Sequence, residues 1–215
     1  MMERLICLAI GYVFGLFQTS YLIGRLHHQD IRECGSGNAG TTNALRTFGK
    51  KAGALTLVGD MLKCVAAVLV VTHLFGPRSE ILPLLELYTA AGCVLGHNYP
   101  FYLRFKGGKG IAASAGMLLA LDYRIFIIFA VVFLALFLST HYVSVGSICA
   151  YLASFLAMTA FGAAGVYGMD FRHTLEMDLV MLFLTVLAIY RHKSNIVRLL
   201  AGNENKTYLK KTEKK

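Results

Sequence analysis

GALTLVGDMLKCVAAVLVVTHLF, residues 53–75, holds only two charged side chains, Asp60 and Lys63, and ends at Gly76 and Pro77. As a helix rising ~1.5 Å per residue it is about 34 Å long, which matches the ~30 Å hydrocarbon core of a bilayer. Further apolar runs lie on either side, at 5–24, 82–95, 111–121, 125–138, 143–162 and 177–190. Those at 82–95 and 111–121 are shorter than the roughly 20 residues a crossing needs unless polar protein surfaces meet them. Five spans are therefore firm, and two depend on their surroundings. The chain reads as all-α, a polytopic membrane protein with seven transmembrane helices.

Composition agrees. Of 215 residues, 56% are hydrophobic and 15% charged, and the mean hydropathy of +0.59 excludes an ordinary water-soluble domain. The formal charge of +9 would suit nucleic acid, yet the basic residues stand at the ends of apolar runs, so topology explains them and no nucleic-acid partner is expected. Seven spans put segments 25–51, 99–110 and 191–215 on one side. Of the 21 Lys and Arg residues, only Arg4, Lys63, Arg78, Arg124 and Arg172 lie elsewhere. The basic side is cytoplasmic by the positive-inside rule, with the N-terminus outside and the C-terminus inside. Removing the two short spans together leaves that orientation unchanged.

The predicted organisation is one membrane-embedded domain over 1–202 and a lysine-rich cytoplasmic tail over 203–215, frayed near anionic headgroups. The first apolar run continues into a span, so no cleaved signal is expected, nor a soluble domain before or after the membrane part. Cys7, Cys34, Cys64, Cys93 and Cys149 are scattered, which indicates neither a zinc site nor a disulfide framework. Asp60 and Lys63, a turn apart, read as a snorkelling pair.

Three polar segments carry the chemistry. In the first, GSGNAGTTN (35–43), Gly35 and Gly37 allow close backbone approach, while Ser36, Asn38, Thr42 and Asn43 offer short hydrogen-bonding groups. Arg46 follows at helical reach, and a guanidinium grips phosphate bidentately. Thr41 or Thr42 would cap a helix there. The second, GHNYPFYLRFKGGKG (96–110), opens with His97 and closes with Gly107, Gly108, Lys109 and Gly110 ahead of an apolar run. Bare amides, a lysine and a helix start form a phosphate-binding loop in physics, without the Walker A spacing. Tyr99 to Phe105 mark the membrane interface, and His97 either meets substrate or satisfies a helix end. In the third, RHKSNIVRLLAGNE (191–204), His192, Asn195 and Arg198 recur every third residue and stack along one helix face. Taken singly, the first could be a solvated loop, a reading that Arg46 weakens, the second is a weak GGKG match, and the third is as well explained as a positive-inside stop. Together on one membrane face, they suit a phosphorylated water-soluble substrate meeting a lipid-borne one.

These three motifs, in this order and spacing, closely resemble the signatures of the bacterial acyl-phosphate-dependent glycerol-3-phosphate acyltransferases, the PlsY family. The resemblance covers essentially the whole chain. It departs at Ala39, where the family often has Pro, and at His141, where Arg is frequent. It implies transfer of an acyl group from a fatty acyl phosphate to the 1-hydroxyl of sn-glycerol 3-phosphate, giving lysophosphatidic acid and inorganic phosphate. No CoA, acyl carrier protein, cofactor or metal is implied, and a monomer in the bacterial inner membrane among its lipids is expected. By motif position, Ser36, Thr42 and Arg46 hold phosphate or glycerol phosphate, and Lys109 with the Gly107 and Gly108 amides holds the acyl phosphate. His192, Asn195 and Arg198 complete the polar wall, which Glu204 orients, and Ser144 lies in the family's short cytoplasmic turn. The chemistry asks mainly for alignment and a stabilised leaving phosphate, so His192 is expected to be an orienting donor rather than a base.

Three other readings compete, one of them a purely structural membrane scaffold, in which Ser36→Ala and Lys109→Ala would change nothing measurable. His173 and Asp178 fit the His-x4-Asp acyltransferase pattern, but the topology sets them on the outer side, away from the basic loops. A transporter would need a polar midplane, to which only Asp60 and Lys63 contribute.

Overall fold

A computed structural model describes residues 1–76 and 79–208; Pro77, Arg78 and residues 209–215, with Lys210, Lys211, Lys214 and Lys215, lie outside the described residues. The elements are α1 (Met2–Gly15), α2 (Thr19–Leu26), α3 (Thr41–Phe48), α4 (Lys50–Phe75), α5 (Leu82–Asn98), α6 (Ile111–Leu121), α7 (Tyr123–Thr140), α8 (Val143–Ala163), α9 (Phe171–Arg191) and α10 (Lys193–Leu200), with 3-10 turns at Ile31–Glu33 and Phe101–Leu103. Every apolar run of the sequence is helical apart from residues 16–18 within the first. Five stretches are long and apolar enough to cross a membrane: Met2–Leu26, Lys50–Phe75, Tyr123–Thr140, Val143–Ala163 and Phe171–Arg191. At 11 residues, α6 is about 16 Å long, roughly half the hydrocarbon thickness.

The helices are apolar outside as well as in. Leu55, Leu62 and Leu69 on α4, Val131 and Leu138 on α7, and Leu179 and Phe183 on α9 are exposed, as lipid-facing side chains are. Between α1 and α5 the contact is backbone to backbone. A Cβ added to Gly15 would lie 2.9 Å from Gly96 Cα, and one added to Gly92 would lie 2.9 Å from Tyr12 N. Lipid supplies no hydrophobic force between helices, so close approach through small residues holds such a pair together.

The expected unbroken first span is instead interrupted between Gly15 and Thr19. The carbonyls freed by the break are satisfied from within the bundle. Gln18 Nε2 donates to Gly15 O (3.2 Å) and Lys63 Nζ donates to Phe17 O (2.6 Å). Lys63 therefore does not snorkel; its side chain and that of Asp60 are 4% and 1% exposed.

Opposite ends of the bundle differ in chemistry. At one, Arg4 grips Glu176 through two bonds (2.6 and 2.7 Å) and Tyr88 donates to the same carboxylate (2.8 Å), tying the starts of α1 and α9 to α5. At the other, the three polar segments converge. Residues 203–208, expected to fray, pack there as well: Thr207 N donates to His141 O (2.9 Å). The chain thus begins at one end and brings residues 203–208 to the other.

Candidate active site

The first segment is organised from behind. Asn43, buried on α3, donates to Ile31 O (3.0 Å) and Cys34 O (2.9 Å) and accepts from Ser36 N (2.9 Å). Both amide hydrogens and the oxygen of Asn43 are thus engaged with its own loop, which the side chain shapes from inside. Gly35, Ser36 and Gly37 lie exposed on the rim, with Asn38 and Thr42 half-buried. The expected threonine cap is corrected: Gly40 is the N-cap and α3 starts at Thr41. Arg46 Nη2 donates to Thr207 Oγ1 (2.5 Å) and Asn205 O (3.2 Å), and it lies near enough to Glu204 and Arg198 to feel both charges.

In the second segment the expected amide cradle is already in use. Gly107 N donates to Asn98 O (3.2 Å) and Gly108 N to His97 O (3.1 Å). From the other side, Arg191 Nη2 donates to Gly107 O (3.1 Å) and Gly108 O (2.6 Å), its guanidinium 5.1 Å from the Tyr99 ring centroid. Gly107 and Gly108 are thus a segment pinned on both sides beneath Lys109, with their amides already donated. His97, likewise expected near substrate, is 3% exposed and lies behind the loop. Gly110, at φ +81°, caps α6 in a conformation that disfavours a side chain.

Gly108 is needed for space. A Cβ there would meet Ala39 O at 2.6 Å and would overlap His97 Nε2, so segments one and two touch at this residue. Gly108→Ala is expected to displace the loop and lower kcat/KM by about 10²-fold. Steady-state kinetics on variant protein that retains wild-type helicity by circular dichroism will test this; activity within threefold would mean that the loop yields freely.

The third segment supplies the hub. Glu204 accepts from Asn195 Nδ2 (2.6 Å), Arg198 Nε (2.7 Å) and Ser144 Oγ (3.1 Å). Asn195 Oδ1 accepts from Lys109, closing the link to segment two. Burial alone would raise the Glu204 carboxyl, but the bonds from Asn195 and Arg198 outweigh it and hold the group below the ordinary range, ionised at neutral pH. Lys109 moves the opposite way, down to about 8, mainly through burial and then through Arg198, Arg191 and Arg46, against the pull of Glu204.

His192, between α9 and α10, has Nδ1 2.8 Å from Ala188 O. A carbonyl only accepts, so Nδ1 carries the proton and Nε2 a lone pair. Burial first, and the Lys109 charge second, push its pKa to about 4, which leaves the ring neutral. The donor expected at this position is therefore an acceptor.

The His-x4-Asp pattern does not assemble. His173 pairs with Asp170 (2.9 Å), whereas Asp178 accepts from Thr159 (3.1 Å).

The family model described as glycerol-3-phosphate acyltransferase matches residues 5–202. The chain belongs to this family. Among curated members it is 41% identical over 209 residues to the glycerol-3-phosphate acyltransferase of Clostridioides difficile (strain 630), covering 96% of this chain and 97% of that one. To the enzyme of the same name from Lactiplantibacillus plantarum it is 38% identical, covering 95% and 92%. The crystal structure of PlsY (YgiH), an integral membrane glycerol 3-phosphate acyltransferase, in its glycerol 3-phosphate form superposes with a TM-score of 0.81 at 34% identity, covering 95% of this chain and 96% of that one. Its lysophosphatidic acid form gives 0.79 at 33%. As a member of the glycerol-3-phosphate acyltransferase family, the chain is a multi-pass membrane protein. Its tail contacts through Glu204, Asn205 and Thr207 lie beyond the matched residues. Thr207 was missed by motif reading, Arg191 stood in the third segment with no role assigned to it, and a charged pair inside an apolar run was the signal available for Asp60 and Lys63.

Proposed function

We propose that this chain transfers a fatty acyl group from acyl phosphate to the 1-hydroxyl of sn-glycerol 3-phosphate, giving lysophosphatidic acid and inorganic phosphate. The observation that carries the reading is the convergence of Arg46, Lys109 and Arg198 with a neutral His192, at one end of an apolar helical bundle. Phosphate groups on both substrates call for cations, and an acyl chain calls for lipid-facing walls.

An acyl phosphate is already activated. The hydroxyl oxygen adds to the carbonyl carbon, the carbon–oxygen bond to phosphate breaks, and the hydroxyl proton passes to a phosphate oxygen. The protein aligns these atoms and stabilises the departing phosphate. Lys109 neutralises the leaving group, Arg46 and Arg198 hold phosphate with Ser36 and Thr42 on the rim, and the His192 Nε2 lone pair accepts from the 2-hydroxyl, leaving the 1-hydroxyl proton to the phosphate oxygen. Asn195 and Ser144 fix the wall through Glu204. No cofactor or metal enters this scheme.

The same reading has seven helical passes, with α5 and α6 crossing beside the polar site, the N-terminus outside, and the site at the cytoplasmic face of the bacterial inner membrane. The enzyme works as a monomer among membrane lipids. Its catalytic domain covers 1–202, and the 203–215 tail lends its first residues to the site.

Purified, detergent-solubilised protein given palmitoyl phosphate and glycerol 3-phosphate is expected to release phosphate in step with lysophosphatidic acid, and Lys109→Ala is expected to slow both by about 10³-fold. Turnover with palmitoyl-CoA alone would overturn the donor assignment. Substrate uptake by sealed vesicles without product would favour a transporter.

A further inference from the structure

Asp60 and Lys63 lie outside all three polar segments, yet they are among the most deeply buried charges of the chain, at 1% and 6% exposure. A buried ion pair adds little net stability over well-packed apolar side chains, so its partners must explain it. The Lys63 ammonium reaches Phe17 O (2.6 Å), His97 Nδ1 (2.8 Å) and Asp60 Oδ1 (2.9 Å). Asp60 also accepts from Thr19 Oγ1 (3.1 Å). An ammonium can only donate, so Nδ1 of His97 accepts and Nε2 carries the ring proton. That edge of the ring is the wall against which Gly108 rests. The carbonyls of His97 and Asn98, at the end of the same helix, take the Gly108 and Gly107 amides. Arg191 closes the other side of the loop.

We propose that Lys63, with Asp60 and His97, is a positioning residue for the loop 107–110: it fixes the His97 ring, the ring seats Gly108, and the seated loop sets the Lys109 ammonium against Asn195. It also joins the α1–α2 break to this loop. The inference rests on the reading that Lys109 engages the acyl donor.

The paired change Asp60→Asn/Lys63→Met removes both charges together and leaves neither unpaired in the interior. His97→Gln tests the link from the loop side with the ion pair intact. In detergent-purified full-length protein, both are expected to raise amide hydrogen exchange in peptides covering 105–110 by about tenfold, with α7 and α8 unchanged. Both are also expected to raise KM for palmitoyl phosphate about five- to tenfold, with KM for glycerol 3-phosphate within about twofold. Combined with Lys109→Ala, either change should cost less than about a further twofold, because the loop then has no ammonium to place. Wild-type exchange in the loop, equal damage to both KM values, or a full additional loss in the Lys109→Ala background would each overturn the proposal and leave the cluster a packing element. Wild-type protein that releases no phosphate from palmitoyl phosphate would instead overturn the donor reading, and loop exchange would still decide the positioning claim.

Discussion

Lys109→Ala is expected to lower kcat/KM for acyl phosphate by about 10³-fold, equivalent to about 4 kcal/mol of transition-state stabilisation. The size of the effect follows from the setting. Lys109 is half-buried, held by Asn195, and its ammonium stands where charge develops on the leaving phosphate under the proposed chemistry. The same burial that makes the charge effective also makes it labile. With the free-enzyme pKa pushed down to about 8, the ammonium is present below that pH and is lost above it. The kcat/KM profile should therefore fall on the basic side of about pH 8, approaching tenfold per unit. Lys109→Arg separates charge from shape. A guanidinium stays protonated to beyond pH ~12, so the basic limb should vanish while the plateau drops about tenfold from imperfect fit. A limb that stays at pH 8 in the arginine variant would assign it to another group and remove Lys109 from this role.

Much of the fold was legible because its cause is one-dimensional. A run such as 125–138 has no charge to place in water, and the structure makes it the exposed, apolar α7. The break after Gly15 was not legible, because nothing local in 5–24 forbids a helix there. It is stabilised by Lys63, which is 46 positions from Phe17 in sequence. The candidate site divides the same way. Residue types announced the cations, so Arg46, Lys109 and Arg198 could be singled out from the sequence. Which donors remain free could not be read, since Gly107 and Gly108 lose their amides to carbonyls of the preceding helix end, and Asn43 spends its side chain on its own loop. The His192 tautomer likewise depends on a carbonyl one helical turn back. Asp60 and Lys63 read as a surface-seeking pair because sequence shows spacing but not depth.

Glu204→Gln should lower kcat/KM for both substrates by about 10²-fold, about 2.7 kcal/mol, with less change in thermal stability than in rate. The carboxylate accepts three donors from two helices: Ser144 at the start of α8, and Asn195 and Arg198 on α10. Glutamine has nearly the same shape, but one of its two termini is an NH2 that must face another donor, and hydrogen bonds to charged groups contribute roughly 1.5–3 kcal/mol each. Asn195 is then free to rotate, and with it goes the acceptor that holds Lys109. Arg198 loses its fixed direction at the same time. The loss should therefore appear at both substrates, unlike the donor-selective effect expected at Lys63. Glu204→Asp keeps the charge but shortens the reach, so it should retain one of the α10 bonds and more activity than the glutamine variant. Because these donors hold the Glu204 carboxyl below its ordinary value of 4.5, its protonation should damage wild-type kcat/KM only below that pH. A glutamine variant with wild-type rates and an unchanged acid limb would show that an ionised hub is not required, and that packing alone holds α8, α10 and the tail together.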